Sequence, residues 1–144
     1  MNTPAAAGLV LGALLLASCQ SAPLTPAEIA ALDYGPRPDD YETIAREYLR
    51  TRLEEPRFAL VEFRAGPKPL YQKETLLGER QYGWAVCVMI SDKNQRGAYE
   101  AFYPMVLYIR GGKVVAANGN SLERAAGARY AESGCRELGY ELPP

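Results

Sequence analysis

Three cysteines, at positions 19, 87 and 135, are the side chains of this 144-residue chain best suited to covalent chemistry. Histidine is absent. That excludes a Ser-His-Asp or Cys-His catalytic set and any His-ligated zinc or haem. Paired carboxylates, a lysine nucleophile or an Asp/Glu metal site stay open on residue types, but no spacing flags one. Asp39-Asp40 and Glu54-Glu55 are adjacent acids that helix ends and solvent account for. A general acid and base need separate environments to drive their pKa values apart. Gly111-Gly112 runs into a strand pattern, so the helix N-terminus of a phosphate loop is missing. The chain is therefore read as non-catalytic, with no cofactor and no metal.

The densest group of hydrogen-bond donors is the segment Asp92-Lys93-Asn94-Gln95-Arg96-Gly97, followed by Tyr99. Lys93, Asn94, Arg96 and Tyr99 form the candidate ligand or partner surface, able to meet carboxylates, sugars or peptide groups. The competing reading is a solvated connector with Asn and Gly set by turn geometry. Trp84, alone in an apolar run, reads as core ahead of a pocket wall. Sixteen basic and seventeen acidic residues give a formal charge of −1, which offers no field for nucleic acid.

The address of the chain is written at its start. Ala5 to Ala17 contains only Ala, Gly, Leu and Val. A helix of that length rises about 20 Å, short of a roughly 30 Å hydrocarbon core, and suits a signal-peptide core better than a permanent span. Met1 to Gly8 holds no Lys or Arg, so the α-amino group is its one positive charge. Leu16-Ala17-Ser18-Cys19 resembles the lipobox of bacterial lipoproteins. The resemblance implies a signal peptide over 1–18 and a lipidated Cys19 as the first mature residue. Two or three acyl chains at ~0.8 kcal/mol per buried methylene would anchor it stably. The membrane is thus one expected partner, through that lipid. Gln20 in place of Asp points to the periplasmic face of the outer membrane.

With Cys19 assigned to lipid in an oxidising compartment, Cys87 and Cys135 remain as one pair, expected as a disulfide; two buried free thiols are the alternative. Residues 19–38 read as lipidated N-terminus, tether and short helix, and 39–144 as one globular domain.

The elements that position these residues follow from periodicity and punctuation. Thr25-Pro26-Ala27-Glu28 is a capping box with Pro at the first helical position, opening a helix to about Leu32. Asp39 with Glu42 opens a second, on which Tyr41, Ile44, Ala45, Tyr48 and Leu49 recur at helical spacing, ending near Glu54 before Pro56. Phe58 to Ala65 reads as a strand broken by Gly66-Pro67-Lys68-Pro69, and Leu70 to Gly78 as an edge strand or extended loop.

Tyr82 to Ser91 is the central strand. Its bulky side is Tyr82, Trp84, Val86, Val88 and Ile90; its small side is Gly83, Ala85, Cys87, Met89 and Ser91. A helix can lie close over the small side, which would set Cys87 beneath Cys135. Tyr99 to Arg110 resumes strand character, with Pro104 implying an edge, bulge or break. Gly111-Gly112 is a hairpin signal, and Asn118-Gly119-Asn120 ends the following strand. Asn120 with Glu123 can cap a last helix carrying Leu122, Ala125, Ala126, Tyr130, Ala131, Cys135 and Leu138, burdened by Gly127 and Gly134 at about 1 kcal/mol each. The fold expected is α+β: an antiparallel sheet of three to five strands flanked by N- and C-terminal helices.

Tyr82-Gly83-Trp84-Ala85-Val86-Cys87-Val88, then Lys93-Asn94, Gly97-Ala98-Tyr99 and Gly111-Gly112-Lys113-Val114-Val115, is similar to small proteobacterial lipoproteins that carry no established activity. The function expected is a lipid-anchored cell-envelope protein acting as an interaction or accessory subunit beside an envelope protein partner. A small ligand-binding or inhibitor module of the periplasm, using the 92–99 loop, is the alternative.

Overall fold

A computed structural model describes residues 22–74, 78–119 and 126–144. Cys19 with the apolar leader, and the Asn120–Glu123 cap, lie outside the described residues. The element order is α1 (Pro26–Ala30), α2 (Tyr41–Arg50), β1 (Leu60–Gln72), β2 (Gln81–Ser91), β3 (Tyr103–Arg110), β4 (Lys113–Asn118) and α3 (Ala126–Glu137). The strands form one antiparallel sheet in the order β1-β2-β3-β4, so each pairs with its neighbour in sequence. This is the expected α+β architecture.

The two sides of β2 separate as their residue sizes require. Val86, Val88 and Ile90 join Met105, Leu107 and Ile109 of β3 in a cluster closed by Ala45 and Leu49 of α2. Ala85 and Cys87 join Val106 and Tyr108 in a second cluster closed by Cys135 and Leu138. The sheet is therefore sandwiched, with α2 on the bulky side and α3 on the small side. Gly134 faces β3 so closely that a Cβ there would sit 2.9 Å from Val106 Cγ2. The helical cost of that glycine is thus the condition for close approach. Beside it Cys135 reaches Cys87, and the two form a disulfide with Cα atoms 5.1 Å apart.

Local details depart from the sequence reading at four places. The capping box of α1 is present, with Thr25 accepting from the Glu28 amide and Glu28 accepting from the Thr25 amide. The N-cap of α2, however, is Asp40 and not Asp39, with no side-chain cap bond. That helix also stops at Arg50: the Thr51 hydroxyl donates to the Tyr48 carbonyl at 2.7 Å, competing with the next helical turn. Gly66-Pro67 does not break the first strand. β1 runs through it for 13 residues, absorbing the irregularity as register shifts between Phe63 and Ala65 and between Ala65 and Lys68, with a cis Gly66-Pro67 bond. Finally, β3 begins at Tyr103, not Tyr99. Pro104 pairs with Met89 of β2, and the pairing of β3 to β4 starts only at Val106, so its missing N–H breaks no ladder on that side.

The segment before α2 packs on the domain. Trp84 Nε1 donates to the Gly35 carbonyl at 3.0 Å, and the rings of Tyr34 and Tyr82 meet edge to face at 5.7 Å. The chain thus enters at the Tyr82–Trp84 end of β2. At the far edge of the small side, Tyr108 is 1% exposed and donates to Gln72 Oε1, which also accepts from Asn118 Nδ2 at 2.6 Å. This side-chain pair of bonds ties β1, β3 and β4 together.

Candidate functional site

The connection between β2 and β3 is a tight, internally bonded tip. Lys93 bridges to Tyr99, the Asn94 amide donates to the Ala98 carbonyl at 2.9 Å, and the Gly97 amide donates back to the Asn94 carbonyl at 2.8 Å. Asn94 Oδ1 accepts from the amides of Arg96 (2.9 Å) and Ala98 (3.1 Å). Below the turn, Ser91 Oγ donates to the Glu100 carbonyl at 2.6 Å and the Tyr103 hydroxyl donates to Asp92 Oδ2 at 2.7 Å. The tip is thus held on a polar base at the Ser91 end of β2.

The four sequence-predicted residues separate into different roles. Lys93 and Tyr99 come together: the Lys93 ammonium lies 5.2 Å from the Tyr99 ring centre and 4.4 Å from that of Phe58. Asn94 spends its side-chain oxygen on the turn, so the solvated-connector reading holds for that atom. Arg96 is exposed and is not among the residues lining the adjoining cleft. That cleft, of about 380 Å³, is bounded by Glu54, Glu55, Phe58, Lys93, Asn94, Gln95 and Gly97.

Phe58, Glu54 and Glu55 are the participants that sequence reasoning missed. Phe58 read as the start of a strand and the glutamates as the end of a helix. Only the return of the 51–59 turn beside the tip brings them to Lys93, and no local pattern encodes that. Phe58 is 47% and Tyr99 48% exposed; Leu60 and Phe102 are exposed as well. Aromatic faces left in water around a cation form a surface that gains by being covered. Trp84, by contrast, packs against the α2-side cluster, as expected of core.

Two tests follow from the base of the tip. Asn94→Ala removes both side-chain bonds to the turn; global stability should fall by about 1 kcal/mol while the Arg96 and Ala98 amides lose hydrogen-exchange protection. Unchanged exchange at those amides would show that the backbone alone closes the turn.

The second test concerns pH. Burial holds the hydroxyls of Tyr103 and Tyr108 well above the usual phenol range, assisted at Tyr103 by its bond to the Asp92 carboxylate and at Tyr108 by the Glu137 charge. Both folded values lie above the unfolded value of about 10. Their contribution to stability is therefore complete below pH ~10 and is lost as pH climbs toward the folded values. Ultraviolet titration should show these two phenols ionising only as the protein unfolds in alkali, and Tyr103→Phe should flatten that alkaline loss.

No family model matches this chain, and no curated protein or solved structure matches it either. What the structure defines is a disulfide-tied, four-stranded antiparallel α+β domain with an aromatic, lysine-centred tip.

Proposed function

We infer that this chain is a non-catalytic, lipid-anchored protein of the cell envelope that works by docking a partner protein on its exposed tip. The observation that carries the docking role is Lys93 sandwiched between the half-exposed rings of Phe58 and Tyr99. The anchor rests on Leu16-Ala17-Ser18-Cys19. Geometry relates the two. The chain enters at Gly35 against Trp84, while the tip leaves β2 at Ser91. Seven residues of strand separate these points, about 23 Å at ~3.3 Å per residue. An anchor on the Gly35 side leaves the tip directed away from the bilayer, toward the periplasm from the inner face of the outer membrane.

A photo-crosslinking residue placed at Tyr99 in intact cells tests this. One envelope protein captured at Tyr99, and not from the same residue placed at Lys113 in the opposite turn, is the expected result. Equal capture at both positions removes the tip from the reading. Cys19→Ala should release the protein from the membrane fraction; continued membrane association of that variant removes the anchor. The cleft bounded by Glu54, Glu55, Phe58 and Lys93 favours the second reading, a small periplasmic ligand. A thermal shift of several degrees with cell-wall fragments, abolished by Lys93→Ala, would put that reading first.

A further inference from the structure

β1 is an edge strand of 13 residues, and its two halves are defended differently. From Arg64 onward the edge carries register shifts, Pro67 and Pro69, features that obstruct pairing with another strand. Leu60 to Phe63 has neither proline nor register shift, and its one charge, Glu62, is paired with Arg64. Its pairing with β2 is regular, from Leu60↔Ser91 to Phe63↔Val88, and among the described residues no strand pairs with its outer side. The opposite edge, β4, is only six residues long.

The undefended half borders a groove. On the α2 side, Leu49, Leu53 and Val61 form an apolar floor, and Arg46, Arg50 and Arg57 rim it in a space of about 260 Å³ whose lining holds no acidic side chain. Arg46 is held along the strand by the Phe63 ring, 5.0 Å from its guanidinium carbon. Arg50 has a salt bridge to Glu47 at 3.6 Å, but both side chains are about 70% exposed, so that pair is weak and exchangeable. An accessible strand edge supplies unsatisfied N–H and C=O groups, the apolar floor takes one side chain, and the three guanidinia favour carboxylates on either side of it.

We propose that the Leu60–Phe63 edge of β1 and the Arg46/Arg50/Arg57 groove beside it bind an extended acidic segment of a partner protein, which adds as a fifth strand. The segment places an apolar side chain on Leu49, Leu53 and Val61, flanked two residues away on each side by Asp or Glu. This deepens the docking role proposed above and rests on it for the partner; Arg57 and Ala59 of the groove flank Phe58 of the tip, so one partner can cover both. Two other occupants are disfavoured. An anionic bilayer would meet the Gly35 end of the molecule, whereas the groove lies near the Ser91 end. A second copy offers no complement, because the same edge would bring arginine to arginine.

The test uses the full-length chain in neutral detergent and a fluorescein-labelled peptide, Thr-Glu-Thr-Leu-Thr-Glu-Thr, whose alternation sets Glu, Leu and Glu on one face. Anisotropy should report saturable binding, with amide shifts at Leu60 to Phe63. The Gln-for-Glu peptide should bind about tenfold more weakly, and replacing its threonines by N-methylated residues should abolish binding through the backbone. Arg46→Gln, Arg50→Gln and Arg57→Gln should each weaken binding about threefold, and the triple variant about 30-fold. Equal affinity for the Gln peptide, or binding undiminished in the triple variant, overturns the proposal. So does displacement of the peptide by phosphatidylglycerol vesicles but not phosphatidylcholine vesicles, or a concentration-dependent dimer that the same variants dissolve. Failure here with crosslinking at Tyr99 retained removes the groove and leaves the docking tip standing.

Discussion

Replacing Cys87 and Cys135 together by alanine should lower the unfolding free energy by about 4 kcal/mol. The bridge spans 48 residues of sequence, and the chain-entropy relation for a loop of that length gives about 4 kcal/mol at 25 °C. Set against the usual 5–15 kcal/mol of a domain, the loss is a large fraction of the whole. For a domain of this size it corresponds to a fall in Tm of roughly 10–20 °C by thermal circular dichroism. The damage should be graded through the structure. α3 is fastened to the sheet at Cys135 and carries Gly134 in its interior, a residue costing about 1 kcal/mol in a helix. Amides of α3 should therefore lose hydrogen-exchange protection before those of β2 and β3. A double variant within about 3 °C of the parent would show that packing around Ala131 and Leu138 holds α3 in place without the bridge.

Gly66→Ala is the second substitution with a large expected effect, about 3–4 kcal/mol by urea denaturation. Gly66 has φ of +93°, and a Cβ built on it would lie 2.2 Å from the Ala85 carbonyl oxygen. The contact is with backbone of the central strand, which cannot step aside without carrying Cys87 and the ladder to β3 with it. Gly112→Ala provides the matched control. Its φ is +74°, but nothing lies within 4 Å of the added atom, so only the left-handed backbone cost of about 1–2 kcal/mol applies. The difference between the two variants measures the clash. Equal costs would mean that β1 relaxes away from β2 at its register shifts.

The parts of this fold readable from sequence are those governed by short-range periodicity. The alternation of β2 sorted Val86, Val88 and Ile90 from Ala85 and Cys87, and the structure places α2 over the first set and α3 over the second. The same reasoning put Cys87 beneath the helix that carries Cys135, where the disulfide is found. Gly111-Gly112 marked the β3–β4 hairpin, and Thr25-Pro26-Ala27-Glu28 marked the start of α1. Errors arose where a local signal met a neighbour distant in sequence. Gly66-Pro67 reads as a strand break because proline lacks a donor; yet β2 continues alongside, and pairing on that side carries β1 past it. Thr51 ends α2 a turn before Pro56 would, through a hydroxyl bond that composition alone does not announce.

The tip divides along the same line. Lys93, Asn94, Arg96 and Tyr99 were singled out from residue type, but type could not tell that Asn94 is consumed by its own turn or that Lys93 lies against Phe58. Likewise Arg46 and Arg50 of α2 and Arg57 of the following turn come to line one groove only because β1 passes beside α2.

By itself, the sequence determined the element types and the two faces of β2, with Cys87 on the side a helix can cover closely, because each depends on spacing along one or two segments. That Cys87 and Cys135 are bonded was expected from the sequence and shown by the structure. Tertiary structure alone decided the continuity of β1, its unguarded first half, and the meeting of Lys93 with Phe58. Those depend on contacts between residues tens of positions apart, and the free energy of such contacts is set by what the fold brings beside them.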